Sequence, residues 1–115
     1  MKYVVYFAIG WWVLLAGTGE AMADVDGNEL LNHCHDYTEK SDFGAGFCIG
    51  YVTGIAEALN NKVNSSPTPF CIPSEVIFKQ LVLIVTKYLN DNPAELHKTA
   101  ISIIQAALRD AFPCK

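Results

Sequence analysis

The spacing of apolar positions divides the chain into a nearly continuous apolar opening, Tyr3 to Gly17, and four amphipathic stretches beyond it. No period-two alternation runs long enough to demand a sheet, so the pattern predicts an all-α bundle of about four helices. The first starts at Asp26 or Asn28, where Asp26 with Glu29 makes a capping box, and sets Leu30, Cys34 and Tyr37 on one face before stopping near Lys40. Ser41 or Asp42 caps the second, in which Gly46, Gly50, Gly54 and Ala58 recur every fourth position. Four glycines between Gly44 and Gly54 weaken a helix by about 1 kcal/mol each relative to alanine. Close approach of another helix is the compensating gain. Tight internal packing is the first reading of this ridge, and a homodimer seam the second.

Residues 60–70 interrupt the periodicity with Asn60, Asn61, Ser65, Ser66, Pro67 and Pro69, which is turn chemistry. A loop this long on a rigid scaffold suits recognition as well as simple connection. The third helix opens at Pro73-Ser74 and runs to about Leu89. Its apolar positions, Ile77, Phe78, Leu81, Val82, Ile84, Val85, Tyr88 and Leu89, cover so wide a face that it reads as the core of the bundle. Val76 and Leu83 fall among its polar positions and are candidates for a protein interface. The fourth helix takes Asn92 as N-cap, Pro93 as first helical residue and Glu95 as third, and carries Leu96, Ala100, Ile103, Ile104, Ala107, Leu108 and Ala111 inward until Pro113 closes it.

The opening changes this picture by fixing a compartment. Lys2, the apolar run and Ala21-Met22-Ala23 have the order of a secretory signal cleaved after Ala23, and the run is shorter than a spanning helix needs. The expected mature domain is residues 24–115, exported and without a membrane anchor. Removing residues 1–23 takes away one cation, Lys2, and one anion, Glu20, so the formal charge stays at −4. An acidic balance argues against nucleic acid, which favours a basic face, and leans toward a basic partner surface.

Four cysteines, Cys34, Cys48, Cys71 and Cys114, in a small exported domain read as disulfides that supplement a limited core. No close C-x-x-C spacing supports zinc. Three pairings are open, and helix geometry ranks them. The third and fourth helices are similar in length and tightly joined, so an antiparallel pair returns Cys114 to the level of Cys71. Cys34 and Cys48 lie nearly equidistant from the turn at Ser41-Asp42. Cys34 with Cys48 and Cys71 with Cys114 is therefore preferred, contributing roughly 3 and 4 kcal/mol in the loop-entropy model. The closest competitor joins Cys34 to Cys114 and Cys48 to Cys71.

Oxidised cysteines leave no thiolate nucleophile. His33-Cys34-His35-Asp36 has the composition of a metal site, but ligands two apart on a helix do not converge, and His97 stands elsewhere. The chain has no G-x-S-x-G, no H-E-x-x-H and no phosphate-cradling glycine loop. A non-enzymatic protein without metal or cofactor, binding another protein, is the expectation.

Cys48-Ile49-Gly50-Tyr51, Cys71-Ile72-Pro73, Gln80-Leu81, Tyr88-Leu89 with Pro93, and Ala107-Leu108 leading to Phe112-Pro113-Cys114 occur in this order across nearly the whole mature chain. Together they resemble the Rap/Tai family of type VI secretion immunity proteins. Where an aspartate is expected soon after the Gly-Tyr-x-x-Gly element, this chain has Ala56-Glu57. The resemblance implies a periplasmic, all-helical, often homodimeric protein that binds and inhibits a peptidoglycan amidase effector by blocking its active-site cleft. The candidate partner-binding loop is residues 60–69, with Asn60, Asn61, Lys62, Asn64, Ser65 and Ser66 as its polar contacts. Gly46, Gly50, Gly54, Val76 and Leu83 are the candidate seam for a dimer or partner. A small periplasmic helical chaperone of the acid-stress type, or another non-enzymatic binding protein, is the alternative reading.

Overall fold

The computed structural model of the chain describes residues 24–36, 43–60 and 70–114. The export signal read in residues 1–23, Tyr37, the helix stop near Lys40 and the Ser41-Asp42 cap lie outside the described residues. Four α-helices follow one another: α1 (Gly27–Asp36), α2 (Phe43–Leu59), α3 (Phe78–Asp91) and α4 (Ala100–Ala111), with a 3-10 turn at Pro93–Glu95. Every pair of these helices is in contact, and no strand occurs among the described residues. The chain is an all-α bundle, as the periodicity predicts.

Both preferred cross-links are present. Cys34 on α1 joins Cys48 on α2, and Cys71 joins Cys114, each with Cα atoms 5.0 Å apart. The first is wholly buried, and the second fastens the end of the chain to the segment that enters α3. Beside it the Cys71 N–H donates to the Phe112 carbonyl at 2.9 Å.

The core is apolar throughout: no buried polar or charged side chain occurs among the described residues. Leu30 of α1, Val52 and Ala56 of α2, Leu81, Val82, Val85 and Leu89 of α3, and Ile103, Ile104, Ala107 and Leu108 of α4 meet there. Phe70, read from sequence as the end of a polar loop, is completely buried and is the largest such side chain. The loop thus ends in an apolar anchor rather than running on to Pro73. Ala111, placed on the inward stripe, is exposed instead, at the last residue of α4.

Two helix starts differ from expectation. The Pro73-Ser74 signal marks a turn, closed by the Val76 N–H donating to the Pro73 carbonyl at 3.2 Å. The backbone then extends at Ile77 (φ −92°, ψ 159°), and α3 begins at Phe78 without a side-chain cap. Val76 therefore precedes the helix and does not share a helical face with Leu83. At the other junction Asn92 caps nothing downstream: its amide donates to the Tyr88 carbonyl at 2.8 Å and closes α3. Pro93 starts only a single 3-10 turn, and α4 waits until Thr99, whose hydroxyl accepts from the Ser102 N–H at 3.4 Å.

The reason for that delay is a tertiary contact that local sequence cannot display. Residues 25–28 run alongside 96–100, with the Gly27 N–H on the Lys98 carbonyl (3.0 Å), the Asn28 N–H on the Leu96 carbonyl (3.1 Å) and the Ala100 N–H on the Val25 carbonyl (2.8 Å). Asp26 and Thr99 form an isolated antiparallel bridge. These bonds take carbonyls and an N–H that a continuous helix from Pro93 would have used itself. Asp26 then turns the chain into α1, its Oδ1 accepting the Glu29 N–H at 2.9 Å. That bond is one half of the capping box read from the sequence.

The approach is so close that a Cβ on Gly27 would stand 2.4 Å from Ile103 Cδ1 and 2.9 Å from both the Leu96 Cα and carbonyl oxygen. Two of those three atoms are backbone and cannot swing aside. Gly27→Ala is expected to lower stability by about 1–3 kcal/mol, the usual cost of overpacking. Urea denaturation of the oxidised protein checks this, with a midpoint equal to wild type counting against the contact.

Candidate functional site

Helix α2 is the unusual element of the surface. Of its 17 residues only Glu57 carries a charge, and a helix so apolar is ordinarily buried on all sides. Its inner side packs as expected, through Gly44, Ala45, Cys48, Val52 and Ala56. Its outer side, carrying Phe43, Gly46, Gly50, Gly54, Glu57 and Ala58, faces solvent. Phe43 is 82% exposed, the highest value among the exposed large apolar side chains. A Cβ built on Gly46, Gly50 or Gly54 would meet nothing within 4 Å.

The first reading of the glycine ridge is thereby corrected. It does not admit a neighbouring helix of the same bundle, because the ridge is angled away from α1, α3 and α4. The seam reading for Gly46, Gly50 and Gly54 survives as a placement on an open face. An aromatic row borders that face. His33 of α1 lies 4.5 Å from Phe47 and 6.4 Å from Phe43, centroid to centroid, and Phe47 stacks on Tyr51 at 5.4 Å. Burial, with Asp24 and then Glu29 nearby, raises the Tyr51 phenol above its ordinary value, so the ring keeps its proton at neutral pH. His33 is thus packed against an aromatic ring rather than solvated, and His35 and His97 are exposed on other surfaces.

A second feature lies between the C-terminal end of α2 and the segment leading into α3. A recess of about 390 Å³ opens there, with Ala56 and Leu81 at its base and Glu57, Ile72, Val76 and Phe78 around it. Asn60 ties its two walls together. The Asn60 N–H donates to the Ala56 carbonyl at 3.0 Å, ending α2, and its side-chain oxygen accepts the Ile72 N–H at 3.1 Å. Ile77 and Phe78, expected in the core, are 63% and 55% exposed at this edge, because α3 starts too late to turn them inward.

Of the sequence-predicted site residues, Asn60 and Val76 meet in this recess. Gly46, Gly50 and Gly54 line the outer face of α2, and Leu83 is exposed on α3 apart from both. Asn61, Lys62, Asn64, Ser65 and Ser66 lie outside the described residues. Ile77, Phe78 and Phe43 were missed as surface residues. No local signal marked Ile77 and Phe78, since no capping side chain announces a helix starting at Phe78.

All four cysteines are in disulfides. Among the described residues no group of three His, Cys, Asp or Glu side chains could hold a metal ion, and no helix is long and apolar enough to cross a membrane.

Comparison with protein families supplies the class that the bundle and its cross-links define. The model of the Rap1a immunity proteins matches residues 26–114, from the first cap to the last cysteine, and the chain belongs to this family. It is an immunity protein of the Rap/Tai type. A search of curated proteins gave no significant match.

If the outer face of α2 is open in the isolated protomer, its glycines destabilise the helix with no packing in return. Gly50→Ala is expected to raise protomer stability by about 0.5–1 kcal/mol. Chemical denaturation at low protein concentration measures this, and a loss of that size would mean the ridge is packed within the protomer.

Proposed function

We propose that this immunity protein is exported by cleavage after Ala23 and acts in the periplasm. There it binds a type VI secretion peptidoglycan amidase effector and inhibits it by occupying the active-site cleft. The observation that carries this reading is a juxtaposition. The chain leaves Asn60 toward residues 61–69 at the edge where Ile77 and Phe78 are exposed, and both sides of that edge are held by a disulfide-linked bundle. Exposed aromatic and aliphatic side chains on a rigid support are what an interface of roughly 1,600 Å² needs as anchors. Residues 60–69 are the segment we assign to the effector's cleft. Inhibition of this kind needs no catalytic group, since a cleft filled by a tightly held segment excludes substrate.

The test is co-expression in the periplasm with the neighbouring reading frame, scored by lysis. The full chain is expected to protect. Replacement of residues 61–66 by a Gly/Ser linker of equal length, which spares Asn60 and Phe70, is expected to abolish protection. Protection that survives the replacement would remove the inserting segment from the mechanism, and lysis despite the intact chain would remove immunity against that effector.

For assembly we propose a homodimer in which two copies cross at the outer faces of α2. Gly46, Gly50 and Gly54 let the two backbones approach, with Phe43 packing at the ends of the crossing. A two-fold crossing needs no charge complementarity, which suits a helix with a single ionised side chain. Gly50→Arg is expected to convert the dimer to a monomer in analytical ultracentrifugation while the circular dichroism spectrum is unchanged. A dimer that persists with this substitution would place the interface elsewhere.

A further inference from the structure

Glu57 is a poorly placed charge for an isolated protein. It lies in the last turn of α2, where the helix dipole is negative and an anion is disfavoured, and that turn contains no basic residue. Thr53 and Gly54, one turn back, offer no cation at the spacing that forms helix ion pairs. Two acids of this chain, Asp91 and Glu95, are paired with Lys87 and Lys98. The Glu57 carboxylate has neither a hydrogen bond nor an ion pair among the described residues.

The charge nevertheless stands at a prepared place. Its recess is walled by apolar Ile72, Val76 and Phe78 with polar Asn60 and Ser74 beside them, and the Asn60 bonds together with the Cys71–Cys114 cross-link fix the walls before anything binds. A wall set in advance lowers the ordering cost of association. Apolar walls leading to one carboxylate match the build of a long basic side chain, whose aliphatic stem packs while its head stays charged. The Phe78 ring adds a face for the cation. A free small cation would gain little at so open a site, since exposed ion pairs contribute at most about 1 kcal/mol. A side chain delivered on a protein surface is brought there by its other contacts and is shielded from water once docked. The formal charge of −4 steers such a cationic surface inward.

From this we infer that the Glu57 recess receives a lysine or arginine side chain projecting from the effector, as an anchor additional to residues 61–69. The inference rests on the immunity reading above and deepens it by naming the chemistry of one partner contact.

The test measures binding of the mature oxidised chain to the effector encoded by the neighbouring reading frame, by surface plasmon resonance at about 50 and about 300 mM salt, a range across which exposed charges become screened. Glu57→Gln is expected to weaken the wild-type affinity about threefold, the scale of a partly exposed ion pair, and Glu57→Lys at least about tenfold, since a like-charge clash is added. Both variants should melt at or above the wild-type temperature, since each removes an anion from the negative end of a helix. The salt dependence of association should be smaller for Glu57→Gln than for wild type. Wild-type binding that Glu57→Lys leaves within twofold would overturn the recess as a basic-side-chain anchor while leaving immunity standing. Absence of wild-type binding would overturn the immunity reading for that effector and this anchor with it.

Discussion

Burial of Phe70 beside a cross-linked Cys71 fixes the non-helical segment that leads into α3. With the ring wholly enclosed and the next residue joined to Cys114, residues 70–77 cross the end of the bundle on a set path. Much else follows from that path. It delays α3 to Phe78, leaves Ile77 and Phe78 at the surface, and provides one wall of the recess whose other wall is the end of α2. The same anchoring brings the last turn of α4 against the middle of the chain, so that a bundle with a modest core is closed at the end where its partner surface is proposed.

The opposite end is closed by backbone rather than by sulfur. The pairing of residues 25–28 with 96–100 depends on Gly27, since any side chain there would collide with the Leu96 backbone. Two different kinds of closure thus bracket an interior with no buried polar side chain among the described residues. An interior of that kind has few directional interactions to select one packing arrangement, and the two closures supply the selection.

Much of the architecture was legible because it follows from local rules. Period-three and period-four apolar spacing marked the four helices, Asp26 with Glu29 marked the start of α1, and antiparallel helix geometry ranked the disulfides correctly. What was not legible depended on distant partners. Asn92-Pro93-x-Glu95 is a sound N-terminal signature that yields only a 3-10 turn, because the N-terminal segment engages the backbone at 96–100. Pro73-Ser74 likewise marks a turn. Phe70 was assigned to a polar loop by its neighbours, although its own side chain was the strongest argument for burial. The glycine ridge was recognised as a packing device, but periodicity cannot tell which side of a helix meets the bundle. The candidate site was less legible still: Asn60 and Val76 were noted separately, and only the fold puts them on one recess with Glu57 and Phe78.

The connectivity of the cysteines carries a consequence for how the chain is made. Bonds join the first cysteine to the second and the third to the fourth, so each thiol pairs with the next one along the chain. An oxidant that links thiols in order of appearance produces the native arrangement directly, without a reshuffling isomerase. The second link spans 43 residues against 14 for the first, so it must wait until Cys114 has been made. A chain stalled or clipped before Cys114 would therefore retain an oxidised α1–α2 hairpin and one unpaired, reactive Cys71, giving quality control a chemical mark of incompleteness.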